Sequence, residues 1–298
     1  MVPPDQPDPR PRRGELIVSE MKLPSHLSYS QVTTMLTCGE QWRLSRGLHL
    51  PEAPAWALVG GTAVHKASEM FDWDQGTNPH ELFPNALDDA ITAELQKAGD
   101  EYQDTSTWRA SGRASKAHPN KEDEGWWRLN GPTFVANWIN WRRNSPLEIW
   151  RDDNGKLAVE LEATVQIADL PVKVFIDRVM TGPSGLVIVD LKSGANMPKD
   201  GMQLAIYAHA VKAVYDLDVP YGQFWSARDG ASSVSYSVSE WPKARLDYVF
   251  GGVRKIQEAG TFIPKVTNLC VACGVRRFCR AFGGELSADI PQPWEANL

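Results

Sequence analysis

Two stretches, Phe175-Ile176-Asp177-Arg178-Val179-Met180 and Leu186-Val187-Ile188-Val189-Asp190-Leu191-Lys192, decide how this chain folds. Both are dominated by β-branched and apolar residues, and Thr181-Gly182-Pro183-Ser184-Gly185 between them has the composition of a turn. Just upstream, Leu157, Val159, Leu161, Ala163, Val165 and Ile167 occupy every second position, the period of a half-buried strand. The sequence therefore predicts three consecutive strands, over 157–168, 172–180 and 186–192. The last is apolar on both faces at its start, as a central strand is.

Residues two apart in a strand share a face, so Asp190 and Lys192 point the same way, and a hairpin over 181–185 brings Asp177 beside them. Two neighbouring carboxylates repel unless a cation lies between them. Hard oxygen ligands suit Mg²⁺ or Mn²⁺. Such an ion polarises a phosphodiester and acidifies a water, while Lys192 orients that water or offsets developing charge. Taken alone, Asp…Asp-x-Lys also describes a surface strand with a salt bridge. The apolar run Val187-Ile188-Val189 argues for burial, and a buried Asp190 needs a partner.

Around this centre the pattern is helical. A capping box at Ser28-Tyr29-Ser30-Gln31 opens a helix expected to reach about residue 46 and to carry Cys38. A second helix follows Gly60-Gly61 and places His65 and Glu69 on one face. Helices are expected over 81–98 and 134–143, with a long polar loop over 99–131. Beyond the three strands, a helix is expected from Pro198 to about 215, with Gln203 and Tyr207 on one face. Two strands (221–227, 233–238) and a final helix (243–259) follow. Residues 1–20, rich in Pro and Arg, read as a flexible tail.

The composition is that of a globular chain: 298 residues, 42% hydrophobic, net charge −6. Nothing approaches the apolar length of a membrane helix, and no secretory signal opens the chain, so a cytoplasmic protein without membrane contact is expected. The net charge excludes a histone-like DNA coat but not a local basic groove. Arg109, Arg113 and Lys116, interleaved with Trp126 and Trp127, have the chemistry of a single-stranded DNA contact, or of a solvated surface over a Trp core. Three of the four cysteines form Cys270-x₂-Cys273-x₅-Cys279, and Cys38 lies far upstream. Four thiolates suffice for a [4Fe–4S] cluster or tetrahedral zinc; reduced thiols or two disulfides are the alternatives.

Four segments in order carry a family resemblance. Gly61-Thr62-Ala63-Val64-His65, Phe175-Ile176-Asp177-Arg178, Val189-Asp190-Leu191-Lys192-Ser193-Gly194 and Gln203-Leu204-Ala205-Ile206-Tyr207 resemble the G-x-x-x-H, G-x-I-D-R, D-x-K-[ST]-G and Q-x-x-x-Y motifs of the RecB-like branch of the PD-(D/E)XK nuclease superfamily, across roughly residues 25–282. The resemblance implies an α/β, restriction-endonuclease-like core, a mixed central sheet flanked by helices. It makes 21–298 one nuclease domain with a helical insertion at about 76–150. It implies that His65, Asp177, Asp190 and the Leu191 carbonyl hold Mg²⁺ or Mn²⁺, that Lys192 is the catalytic lysine, and that Gln203 and Tyr207 position the site or the DNA backbone. Glu160 matches an acidic residue of the preceding strand.

The cysteine layout resembles the iron–sulfur subset of this branch, which includes CRISPR-associated and phage-encoded exonucleases. That implies a [4Fe–4S] cluster on Cys38, Cys270, Cys273 and Cys279, with segment 262–282 clasped to Cys38. Two positions depart from the family: Phe175 replaces a usual Gly, and Gly39 a usual Pro. The implied function is metal-dependent DNA exonuclease activity on single strands or ends. Alternatives are a nuclease trimming DNA for CRISPR adaptation and a non-catalytic DNA-binding subunit of a helicase–nuclease complex; the expected partners are DNA and recombination or CRISPR adaptation proteins.

Overall fold

The computed structural model describes residues 21–76, 78–112 and 121–291. The expected tail over 1–20, together with Arg113 and Lys116, lies outside the described residues.

The three strands expected from the sequence form: β2 (Val159–Ile167), β3 (Leu170–Gly182) and β4 (Gly185–Lys192). β3 pairs antiparallel with both β2 and β4, and a two-residue strand β1 (Glu148–Ile149) continues β2's edge of β3. β4 pairs in parallel with β5 (Tyr221–Ser226). A parallel pair needs a crossover, and α6 (Met202–Tyr215) supplies it. Short strands β6 (Ala231–Ser232) and β7 (Tyr236–Ser237) finish the sheet beside β5. The sheet is mixed, as the α/β reading requires.

Each face carries its own core. On one, Val174, Ile176, Val179 and Ile188 pack against α6, α1 (Tyr29–Thr37) and α7 (Lys243–Glu258). On the other, Met180, Val189, Leu191 and Trp225 pack against α3 (Trp56–Trp73), α4 (Pro79–Lys97) and α5 (Glu124–Asn144). The segment expected as an insertion therefore supplies much of one covering layer.

Three expected boundaries move, and the strand expected over 233–238 shrinks to Tyr236–Ser237. The N-terminal helix stops at Thr37: Cys38 is extended (φ −158°), and a four-residue α2 (Gly39–Trp42) and a π turn (Arg43–Gly47) follow. The break is tertiary. Gly39 N–H donates to the Ile263 carbonyl at 3.0 Å, and a Cβ on Gly39 would lie 2.8 Å from the Ile263 nitrogen. The proline usual in the family lacks that donor. Helix α5 begins ten residues before the expected start at 134. Asp123 caps it by accepting from Trp126 N–H at 2.9 Å. Packing of Trp127 and Phe134 outweighs the polar composition and the interior Pro132. Lastly, α6 starts at Met202 rather than at Pro198, where Asp200 accepts the Met202 N–H at 3.0 Å.

Candidate active site

The β3–β4 ladder runs from Gly182↔Gly185 to Arg178↔Val189 and stops there. Beyond it the Asp177 carboxylate takes over the pairing, with Oδ2 accepting the Leu191 N–H at 2.7 Å. Opposite, between the pairs Val159↔Arg178 and Leu161↔Ile176, Glu160 adopts φ +48°. A non-glycine residue at positive φ within a strand is strained, and such strain collects at functional sites. At this crease side chains reach in from both helical layers.

From the α3 layer comes His65. Gly61 lies one turn before it, where a Cβ would come 2.9 Å from Ser193 Oγ, so the glycine lets α3 press onto the end of β4. This is the physical content of Gly-x-x-x-His: the glycine gives close approach, and four residues on the imidazole shares its face. His65 Nδ1 lies 3.5 Å from Asp177 Oδ2 and 3.9 Å from Glu160 Oε1. His65, Glu160 and Asp177 each offer a donor atom within 4.8 Å of the others. Glu69, expected to share His65's face, pairs instead with Lys66 at 2.9 Å.

From the α6 layer come Gln203 and Tyr207. Gln203 Nε2 donates to Asp190 Oδ1 at 3.0 Å and to Tyr207 Oη at 2.8 Å, while Gln203 Oε1 accepts from Lys192 Nζ at 2.9 Å. Lys192 Nζ also lies 2.6 Å from Asp190 Oδ2. Asp190 is buried at 1% exposure, and this pairing is what permits a carboxylate there.

Of the expected ligands, His65 and Asp177 share a compact donor group with Glu160, while Asp190 pairs with Lys192 and Gln203. Leu191 contributes its N–H to Asp177.

Charges at the crease interact strongly. Burial alone would lower the His65 pKa, but the carboxylates of Asp177 and then Glu160 raise it to about 10. Burial would raise Asp177, yet His65, Lys192 and Arg178 hold it below the ordinary carboxylate range. Asp190 is pushed up to about 6, by burial first; Lys192 opposes the rise and Asp177 adds to it. Burial, then the charges of Asp190 and Asp177, hold the Tyr207 phenol well above its usual range.

The expected DNA contacts fare differently. Trp127 is 1% exposed in the α3–α5 core and cannot stack on a base. Trp126 is half-buried, with the Arg228 guanidinium 4.9 Å from its ring. Arg109 is spent on backbone carbonyls, donating to Ala53 at 2.8 Å and to Ala272 at 2.5 Å. Phe175, the departure from the family's glycine, points out of the sheet at 49% exposure with Lys173 Nζ 5.0 Å from its ring.

Cys38, Cys270, Cys273 and Cys279 all line one pocket, walled by Leu44, Pro264, Val266 and Val275. Among the described residues no three of their sulfurs lie within 4.8 Å of one another. Backbone N–H groups of Lys265 and Thr267 donate to Cys38 Sγ (3.4 Å) and Cys270 Sγ (3.3 Å). Burial raises the Cys273 and Cys279 thiols, with Cys38 and Cys279 adding to the rise at Cys273 and Glu40 and Cys38 to that at Cys279.

The profile of the PD-(D/E)XK nuclease superfamily matches residues 26–280, and the chain belongs to that superfamily. The chain is similar over most of its length to the Gene 69 proteins of two mycobacteriophages. For phage L5 the identity is 25%, over 86% of this chain and 96% of the relative; for phage D29 it is 26%, over 89% and 100%. A candidate exonuclease from Eubacterium rectale, of known crystal structure, aligns over 84% of this chain and 87% of its own, with 12% identity and a TM-score of 0.47. Among the described residues no helix is long and apolar enough to cross a membrane.

Proposed function

We propose that the protein is a divalent-metal-dependent DNA exonuclease acting on single strands or strand ends, with a [4Fe–4S] cluster as a structural clasp. The observation that carries the reading is the meeting, at the splayed end of β3 and β4, of the His65–Glu160–Asp177 donor group with the Lys192–Asp190–Gln203 cluster. An imidazole and two carboxylates suit Mg²⁺ or Mn²⁺, which would supply Lewis-acid polarisation of a phosphodiester. Asp190 beside that group adds negative charge. Lys192, held by Asp190 and Gln203, presents a fixed ammonium to orient a water and offset charge developing at phosphorus. Gln203 and Tyr207 fix the Lys192–Asp190 pair and mark the approach for the phosphate backbone.

Phe175 supports the single-strand preference: an exposed ring two residues from Asp177 gives an unpaired base a stacking surface. Four cysteines around one pocket suit a cluster or zinc, and the likeness of their layout to the iron–sulfur branch favours the cluster, whose charge the N–H groups aimed at sulfur would temper. The phage relatives favour a role in phage DNA metabolism, in the host cytoplasm, over CRISPR adaptation. The lysine–carboxylate pair argues against a non-catalytic subunit.

The test is cleavage of end-labelled single- and double-stranded DNA with Mg²⁺, Mn²⁺ or chelator. Asp190→Asn and Lys192→Met are expected to retain DNA binding and to lose roughly 10²–10⁴-fold in rate. Undiminished cutting by both variants overturns the site.

A further inference from the structure

Behind the crease lies a buried ionic network that the nuclease reading does not use. Asp72, on α3, has a fully buried carboxylate that takes three donors: Trp138 Nε1 at 3.0 Å, Arg142 Nε at 3.1 Å and Arg178 Nε at 2.7 Å. Both oxygens are occupied, Oδ1 by Arg142 and Oδ2 by Trp138 and Arg178. The far side of the Arg178 guanidinium faces the site. Its Nη1 donates to the Asp177 carbonyl at 2.6 Å and lies 3.5 Å from Glu160 Oε1. Trp138 packs against the same guanidinium, 5.3 Å from its ring.

We infer that Asp72 is a positioning residue for the metal site, acting through Arg178 on Glu160 and on the backbone of Asp177. The charges show why. Two guanidiniums and one carboxylate leave an excess positive charge behind the crease, and Glu160 is the acid placed to answer it. Asp72 fixes where that charge sits. Anchored on Asp72, Arg178 reaches Glu160 only at 3.5 Å, restraining its carboxylate while leaving it able to bind a cation. Freed from Asp72, Arg178 closes on Glu160 and competes with the metal for it. Groups behind a ligand tune its metal affinity in this way, typically by 10–100-fold. The network also ties the helical layer, through α3 and α5, to strands β2 and β3. The inference rests on the proposed metal role of His65, Glu160 and Asp177.

The experiment is titration of Mn²⁺ into full-length protein with its cluster in place and divalent cations removed, followed by electron paramagnetic resonance without nucleic acid. Asp72→Asn keeps the shape, but its amide cannot accept on both sides. It is expected to weaken Mn²⁺ binding 10–100-fold in protein whose circular dichroism matches wild type. In a Glu160→Gln background the same change is expected to weaken binding less than about 3-fold, because its target has been removed. Should Asp72→Asn not fold, Asp72→Glu keeps the charge but moves the carboxylate, pushing Arg178 toward Glu160, and is expected to weaken binding in the same direction. Unchanged affinity in the folded variant, or an equal loss in both backgrounds, overturns the inference. If Asp177→Ala also binds Mn²⁺ like wild type, the metal-site reading itself falls.

Discussion

Asp247 shows how a single carboxylate is used away from the crease. It accepts the Ala168 N–H at 2.6 Å and lies 2.8 Å from Lys243 Nζ. Burial pushes its pKa up, but the bonds from Lys243 and Ala168 outweigh this and hold it below the ordinary range. A depressed carboxylate stabilises the fold above its unfolded pKa of about 3.9, and the contribution is lost as pH falls through the folded value. Partly exposed, it contributes at most about 1 kcal/mol. Asp247→Asn should therefore lower urea stability at pH 7 and make no difference at pH 2; equal losses at both would contradict the assignment. Phe175→Ala carries the second expectation at this scale. Losing one base stack, about 1–3 kcal/mol, should weaken single-stranded DNA binding measured by anisotropy and leave duplex binding unchanged.

Among the elements, the β2–β3 hairpin turns on Ala168 and Asp169, whose φ values are +53° and +59°. A two-residue turn of this hand favours Asn-Gly. Asp169 is exposed, so Asp169→Gly should stabilise by about 0.5–1 kcal/mol in urea melts. The α3–α5 contact has the opposite sensitivity. A Cβ on Gly60 would lie 2.1 Å from the Trp127 ring. Gly60→Ala should cost about 1–3 kcal/mol by displacing the helix that carries His65. Elements read best where the signal was local. The three strands showed in the period-two alternation and the turn at 181–185. The break at Cys38 did not, because its cause is a backbone contact with Ile263, far along the chain. Nor did the start of α5, where packing overrides composition.

Across the whole molecule, the two ends of the domain meet at the cysteine cavity. Leu44, Leu48 and Leu50 pack with Val275, Phe278 and Ile290 into a separate small core beside Cys273 and Cys279. A clasp there closes a loop of more than two hundred residues between Cys38 and Cys270. Cys38→Ala should abolish the visible absorption of a bound cluster and cost roughly 2–5 kcal/mol, as losing a native crosslink does. A wild-type preparation in which anaerobic reconstitution restores no iron would refute the clasp.

Residue type and spacing by themselves determined the acid–lysine hairpin, the His65 helix and the cysteine set. Those signals depend on neighbours within a strand or a helical turn, and on motif order. Which acid joins His65 and Asp177 was decided only by tertiary structure. Glu160 enters because β2 kinks opposite Asp177, and Asp190 is drawn away by a lysine and by a glutamine from another layer. Asp72 escaped sequence reading for the same reason: an acid near the end of a largely apolar helix carries no local mark, and only the fold brings its three donors to it. The Trp-flanked basic segment stayed open between a DNA contact and a Trp core because composition cannot tell a ring that faces solvent from one that fills a core.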